Sequence, residues 1–212
     1  MKTITGKEAY KLQQAEDALI VDFRSPGEFA SGHPLGALNI PFAEKNIPAM
    51  INRVITKINS TLILVSNSRN EALSAHQQLN DVAISVAGTI NNGFSGWEQD
   101  ELPVSTLDEI NVKDLHREIN KDSKLVVLDV RESIEWETGH VPGATLISLG
   151  ELSTRWKELP NNTPLAVICE AGIRSATAAS LLKINGLLHV TNVPEGTAGY
   201  RQGSFDLEFY TE

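Results

Sequence analysis

Cys169 is the residue whose type and surroundings most clearly suggest chemistry, since it is the only cysteine among 212 residues. It follows the apolar run Leu165–Ile168, which is typical of a buried strand, and small residues from Ser175 onward predict a closely packed helix. Backbone N–H groups at a helix start favour an anion such as a thiolate, and so does Arg174, five positions after the cysteine. Gly172 permits the tight turn that exposes those amides. The segment therefore predicts a half-ring of donors around one nucleophilic sulfur.

A lone cysteine is more often a small buried apolar residue than a nucleophile. Here the strand end, the glycine, the arginine and the helix start all favour the reactive interpretation. The pattern Cys-x-x-Gly-x-Arg-Ser after an apolar strand resembles the active loop of rhodanese-type sulfurtransferases. In that family the cysteine accepts a sulfane sulfur, carries it as a persulfide cradled by backbone amides, and passes it to a nucleophile. The resemblance implies that Cys169 is catalytic, that no metal or organic cofactor is needed, and that the donor-binding loop comprises Glu170, Ala171, Gly172, Ile173, Arg174 and Ser175.

The chain contains an internal repeat, in which residues 21–37 return as residues 128–144. Later landmarks recur at a slightly shorter spacing, which places about four extra residues of the first copy between Ala43 and Asn59. Two patterns shared by the copies, Asp-x-Arg-x-x-x-Glu-aromatic and Gly-His-x-x-Gly-Ala, resemble the N-terminal signature of rhodanese domains. The matched pairs are Asp22 with Asp129, Arg24 with Arg131, Glu28 with Glu135, His33 with His140, Gly93 with Gly196, and Trp97 with Tyr200.

Each copy alternates short apolar runs with helical stretches, which predicts an α/β fold with a parallel sheet covered on both faces. Together with the resemblance, this predicts two tandem rhodanese-like domains, each a mainly parallel five-stranded sheet flanked by helices. We expect the domains at residues 1–102 and 108–212, separated by the polar segment around Pro103. Sites in such sheets lie at the carboxyl ends of strands, which is where Cys169 falls. The clearest predicted strands are residues 18–22, 61–65, 83–86, 125–129, 165–168 and 187–190, and the tail 204–212 has no evident counterpart.

The two copies differ at the positions that would carry the chemistry. Ser66 replaces Cys169, and Glu71 replaces Arg174. A hydroxyl near neutral pH has no thiolate-like form, so the first domain is predicted to be inactive. An alternative role for Ser66 as a nucleophile would need an adjacent base, and the sequence shows none.

Other polar residues are interpreted by whether the inactive copy retains them. Asp129, Glu135 and His140 are retained, which favours structural roles, with Glu135 pairing with a nearby arginine. Arg131 is also retained but is kept as a possible pocket residue. Glu170, next to the cysteine, is interpreted as a solvent-facing side chain.

The composition limits the partners. The formal net charge is −9, which argues against nucleic acid or an anionic membrane, and no apolar run approaches the ~20 residues of a membrane span. The N-terminus lacks the apolar core of a signal peptide, and a single cysteine suits a reducing compartment, so a cytoplasmic location is expected.

The expected function is therefore transfer of sulfane sulfur from thiosulfate, polysulfide or a low-molecular-weight persulfide to a thiol, a protein cysteine or cyanide. Arg174 would bind a thiosulfate-like oxyanion. Two alternatives remain open. Cysteine phosphatases and arsenate reductases resemble this fold but have one more residue between cysteine and arginine than the four found here. A non-catalytic sulfur carrier or binding module is the other.

Overall fold

Two parallel sheets organise the protein, one in each half of the chain. The chain divides into two units, residues 1–106 and 107–212. The computed structural model describes residues 1–15, 18–42, 46–55, 61–121 and 124–209. Within these ranges no helix is long and apolar enough to cross a membrane.

The first unit builds its sheet in the order Thr3–Ile4 (β1), Val86–Ile90 (β6), Thr61–Val65 (β5), Ala18–Asp22 (β2) and Leu38–Asn39 (β4), and all neighbours are parallel. The register pairs Asp22 with Val65, so the loop that begins at Ser66 emerges at the carboxyl edge of the sheet. In chain order the elements are β1 Thr3–Ile4, α1 Gly6–Gln14, β2 Ala18–Asp22, α2 Pro26–Ser31, β3 His33–Pro34, β4 Leu38–Asn39, α3 Ile47–Val54, β5 Thr61–Val65, α4 Arg69–Asp81, β6 Val86–Ile90, α5 Gly93–Gln99 and β7 Val104–Ser105.

The second unit repeats this arrangement in the order Thr145–Leu146 (β10), Val126–Asp129 (β9), Leu165–Ile168 (β11), Val190–Asn192 (β12) and Asp108–Glu109 (β8), again with parallel neighbours. Ile168 pairs with Asp129, so Cys169 is the first residue beyond the central strand. The predicted five-stranded parallel sheets flanked by helices are thus confirmed. The elements are β8 Asp108–Glu109, α6 Val112–Ile119, β9 Val126–Asp129, α7 Ser133–Trp136, β10 Thr145–Leu146, α8 Leu149–Arg155, a 3₁₀ turn Trp156–Glu158, β11 Leu165–Ile168, α9 Ile173–Ile184, β12 Val190–Asn192 and α10 Gly196–Gln202.

Burial explains why the central strand and its following helix lie so close together. All four residues of β11 are buried, as expected for a strand covered on both faces. In α9 the eight consecutive residues from Ser175 to Leu182 are buried as well. Most of them are small, which lets the helix approach the sheet closely and fixes the loop between β11 and α9.

The tail has a counterpart after all. In the first unit β3 pairs antiparallel with β7, with His33 opposite Ser105. In the second unit His140 forms the same kind of bridge with Glu208. The tail therefore repeats the end of the first unit, and the prediction that it has no counterpart was wrong, because backbone pairing does not require matching side chains.

The last strand of each five-stranded sheet in chain order was predicted three residues too early. Residues 83–86 and 187–190 were expected as strands, but β6 and β12 start at Val86 and Val190. The apolar residues Ile84 and Leu187 instead close the preceding helices. Their N–H groups donate to the carbonyls of Leu79 and Leu182, at 3.0 and 3.1 Å, and both side chains are buried. This is a Schellman motif, whose apolar residue mimics the beginning of a strand in the sequence.

The Schellman motifs also differ in a way that predicts a change in stability. The left-handed position is Gly186 (φ 94°) in the second unit but Ala83 (φ 61°) in the first. A Cβ at this position strains the backbone by about 1 kcal/mol. We therefore expect Ala83→Gly to raise the free energy of unfolding of the first unit by about that amount, measured by denaturant titration.

Gly186→Ala is the matched control. A Cβ there meets nothing within 4 Å, so we expect a loss of about 1 kcal/mol from strain alone. If the two substitutions change the free energy of unfolding in opposite directions, the strain argument is supported. Changes in the same direction contradict it.

One prediction falls partly on residues that are not described. The extra residues of the first copy were placed between 43 and 59, of which 43–45 and 56–59 lie outside the described ranges. Helix α3 ends at Val54, and Ile55 is its extended C-cap residue.

Candidate active site

Cys169 occupies the end of the central strand of the second unit, at the start of the loop that leads into α9. Its side chain is free and buried, with 1% exposure. The Sγ atom lies 3.4 Å from the Oγ atom of Ser175, which is the third residue of α9. The hydroxyl is thus placed to donate a hydrogen bond to a thiolate.

The sequence predicts that the backbone N–H groups of residues 170–175 form a cradle for an anion. Among the described residues, these six N–H groups have no acceptor within the protein. The next amide, that of Ala176, donates to the Gly172 carbonyl at 3.2 Å and begins the helical pattern. Amides of this kind at a helix start hold an anion, so the loop can stabilise negative charge on Cys169 or on a sulfur bound to it.

Helix α10 holds the back of this loop. The Thr197 amide donates to the Cys169 carbonyl at 2.8 Å, and the Ala198 amide donates to the Glu170 carbonyl at 3.1 Å. Gly196 makes the approach possible, because a Cβ there would overlap both carbonyl oxygens. Because α10 binds the carbonyls of Cys169 and Glu170, it fixes the loop without using the loop's own N–H groups, which stay available for a ligand.

Gly172 is needed for the turn itself. It adopts φ 78°, and a Cβ there would overlap the carbonyl group of Pro194. Both backbone conformation and space therefore require glycine at this position. The role given to it from the sequence, a tight turn before the helix, agrees with this geometry.

Arg174 forms a two-pronged ion pair with Glu135. The Nη1 atom lies 2.7 Å from Oε2, and the Nη2 atom lies 2.6 Å from Oε1. This contact with Glu135 is the main cause that raises the pKa of Arg174, with smaller contributions from Cys169 and Asp129. Glu135 also accepts the Glu132 amide at 3.0 Å, which anchors the carboxylate to α7. The partner arginine expected for Glu135 is thus the loop arginine itself.

Glu170 is partly exposed to solvent, with 41% of its side chain accessible, but it is also bound by neighbouring side chains. It forms an ion pair with Arg201, accepts a hydrogen bond from the Thr197 hydroxyl at 2.7 Å, and lies 3.7 Å from Nη1 of Arg131. Thr197 and Arg201 come from α10, about thirty residues later, so local sequence around Cys169 could not reveal them. A comparison of the copies could have done so, because the corresponding positions of the first unit hold Phe94 and Glu98.

Arg131 lies beneath the loop rather than in an open pocket. Its side chain is fully buried, with Nη2 2.8 Å from Asp129 and 3.0 Å from the Gly139 carbonyl. Arg24 forms the same contacts in the first unit, with Asp22 and the Gly32 carbonyl. This repetition indicates that the buried ion pair fixes the turn after the second strand of each unit, which is β2 in the first and β9 in the second.

His140 also belongs to the frame of the domain. It is buried, and its ring stacks on that of Trp136 with the centroids 3.5 Å apart. Its Nδ1 atom lies 3.2 Å from the Trp136 carbonyl and donates to it. His33 stacks on Phe29 and bonds its carbonyl in the same way.

The corresponding loop of the first unit is closed by its own side chains. The Ser66 hydroxyl donates to the Glu71 carboxylate at 2.9 Å and accepts the Ser68 amide at 3.1 Å. A base is therefore adjacent to Ser66, contrary to the expectation from the sequence. Carboxylates as a class are weak bases for a serine hydroxyl, so this contact does not by itself make Ser66 a nucleophile. A cavity of about 590 Å³ lies beside this loop.

Comparisons with known proteins found one family that matches both units. A family model described as a rhodanese-like domain matches residues 5–100 and 111–202. The chain is 38% identical over 101 residues to a putative sulfur carrier protein of Bacillus subtilis, covering 48% of this chain and 55% of that protein. It is 29% identical over 104 residues to a probable adenylyltransferase/sulfurtransferase of Mycobacterium tuberculosis, covering 48% of this chain and 26% of that protein.

Among solved structures, a rhodanese-related protein from Thermoplasma volcanium has 32% sequence identity and a TM-score of 0.45. The match covers 49% of this chain and 99% of that one. The chain thus spans about half the length of the first curated relative and about a quarter of the second.

Proposed function

Since the chain belongs to the rhodanese-like domain family, we propose that it is a sulfurtransferase that moves sulfane sulfur through a persulfide on Cys169. The observation that carries this proposal is the buried cysteine at the end of β11, beside six loop amides for which the described chain provides no acceptor. The first unit, with Ser66 and Glu71 at the equivalent positions, is proposed to be inactive.

The reaction has two half-steps. In the first, the Cys169 thiolate attacks the outer sulfur of the donor, an Sγ–S bond forms, and the donor's S–S bond breaks with its electron pair leaving on the remaining fragment. In the second, an acceptor thiolate attacks the outer sulfur of the persulfide, and the Cys169 thiolate departs. The loop amides stabilise the charge on the sulfur throughout. Thiosulfate, polysulfide and low-molecular-weight persulfides are donors of suitable chemistry, and thiols, protein cysteines and cyanide are suitable acceptors.

A sulfur carrier is the second candidate, and the similarity to a putative sulfur carrier protein favours it. A carrier would form the same persulfide but would pass the sulfur to a partner protein, with little turnover on small thiols. A phosphatase is less well supported, because only four residues separate Cys169 from Arg174 and the guanidinium is held by Glu135.

The proposal is tested by intact-mass measurement after incubation with thiosulfate or glutathione persulfide, each followed by a reductant. We expect a mass gain of one sulfur atom that the reductant removes and that depends on Cys169. Turnover with a small thiol acceptor then separates a sulfurtransferase from a carrier. If neither donor adds sulfur, the proposal is wrong.

Restoring the cysteine of the first unit should not restore activity. We expect Ser66→Cys in a Cys169→Ser background to stay at least about 100-fold below the wild type in turnover. The Glu71 carboxylate, which contacts the Ser66 hydroxyl at 2.9 Å, would oppose a thiolate and a persulfide there.

The matched control adds Glu71→Arg to Ser66→Cys in the same background. This variant removes the repulsion and is expected to exceed Ser66→Cys alone in persulfide formation, as measured by intact mass. Activity of Ser66→Cys close to that of the wild type would contradict the argument.

A further inference from the structure

Three arginines lie around the Cys169 loop, and each faces a carboxylate of its own domain. Arg131 pairs with Asp129 at 2.8 Å, Arg174 pairs with Glu135 at 2.6 Å, and Arg201 pairs with Glu170. The positive charge of these side chains is therefore balanced within the domain. What the loop offers to an anionic ligand is mainly the partial charge of its backbone amides.

Of these three ion pairs, the one between Arg174 and Glu135 has the greatest effect on donor binding, because it involves the arginine of the loop itself. Both hydrogen bonds are short and charge-assisted, and the two side chains are only 21% and 30% exposed. The Glu132 amide holds the same carboxylate, so Glu135 cannot move without loosening the start of α7. The pair uses two of the five N–H groups of the guanidinium, so a donor that binds the remaining ones meets a cation whose charge Glu135 already balances.

Sulfur donors differ in how much they need that guanidinium. Thiosulfate is a dianion, and its departing fragment, sulfite, carries two negative charges. A persulfide of a small thiol releases a thiolate, which carries one. In a persulfide reaction the Cys169 thiolate binds the outer sulfur, the S–S bond breaks, and its electron pair leaves with the donor thiolate. The outer sulfur keeps its proton. This step can proceed on the loop amides without an additional cation.

We infer that Glu135 is a specificity-determining residue, which engages the guanidinium of Arg174 and thereby makes the site favour a low-molecular-weight persulfide over thiosulfate. The inference rests on the proposed sulfur transfer through Cys169. The first unit provides an internal comparison. Its counterpart, Glu28, contacts Asn67 at 2.6 Å, and Glu71 takes the place of the arginine.

The test uses the full chain and measures kcat/KM for thiosulfate and for glutathione persulfide with one acceptor. We expect the wild type to favour the persulfide by at least about tenfold, and Glu135→Gln to shift the ratio toward thiosulfate by about tenfold. Glutamine keeps an acceptor for the Glu132 amide but gives up the charge that holds Arg174. The shift should vanish when Arg174→Gln is added. A purely structural defect would lower kcat/KM for both donors together and leave the ratio of the two values unchanged.

Glu28→Gln is the matched control in the first unit, and we expect it to leave the ratio as in the wild type. If kcat/KM of the wild type for thiosulfate equals or exceeds that for the persulfide, the inference is overturned, whether or not Glu135→Gln folds. An unchanged ratio in a folded Glu135→Gln variant overturns it as well. Failure of either donor to load Cys169 is a different result, because it overturns the proposed function itself.

Discussion

Cys169→Ser is expected to lower kcat/KM for sulfur transfer by at least about 1000-fold, the largest functional effect of any single change in this chain. The serine hydroxyl has no readily formed anion near neutral pH, and it cannot carry a sulfane sulfur. The fold should survive, because serine is similar in size and the Ser175 hydroxyl, 3.4 Å from Sγ, can pair with the new oxygen. Turnover, intact mass after donor treatment and circular dichroism measure the three parts of this expectation.

Ser66→Ala is the control for that change, since Ser66 holds the equivalent position in the first unit. It removes a hydroxyl that bonds Glu71 and Ser68, and no step of the proposed reaction uses it. We expect its turnover to match the wild type. Turnover of Cys169→Ser within tenfold of the wild type would remove the basis for a persulfide mechanism.

Gly196→Ala is expected to have the largest effect on stability, a loss of about 3 kcal/mol in the second unit. A Cβ at this position would overlap the carbonyl oxygens of Cys169 and Glu170, and φ is 62°. Moving α10 away would break the hydrogen bonds from Thr197 and Ala198 to those carbonyls. Because the same bonds hold the loop, we also expect sulfur transfer to fall in the fraction that remains folded.

Gly143→Ala separates the two causes. Gly143 has a similar φ of 70°, but a Cβ there meets nothing within 4 Å. It should therefore cost only the backbone strain, about 1 kcal/mol. Denaturant unfolding of both variants measures the difference. Equal losses in the free energy of unfolding would show that the close approach of α10 to the loop contributes nothing to stability.

The sequence predicted most of what depends on neighbouring residues. The apolar run before Cys169 and the small residues after Arg174 correctly indicated a buried strand and a packed helix. The repeat correctly indicated a second sheet of the same design. The errors at Ile84 and Leu187 arose because an apolar residue that closes a helix has the same appearance as the first residue of a strand.

What the sequence did not reveal are contacts between residues that are far apart in the chain. The contacts of Glu170 were not predicted, because its partners, Thr197 and Arg201, lie on a helix about thirty residues later. The base beside Ser66 was missed because the side chain of Glu71 turns back from the first turn of α4. In each case the position was known, but the direction of the side chain is set by packing, which periodicity does not describe.

The dependence of the loop on α10 has a consequence for how the protein is made. The proposed nucleophile is Cys169, but the amides that bind the carbonyls of its loop belong to Thr197 and Ala198. During translation, the strand and cysteine leave the ribosome before this helix has been synthesised. A nascent chain that ends before Gly196 therefore exposes a thiol without a finished cradle. We therefore expect the proposed sulfur loading of Cys169 to begin only after α10 has emerged and docked.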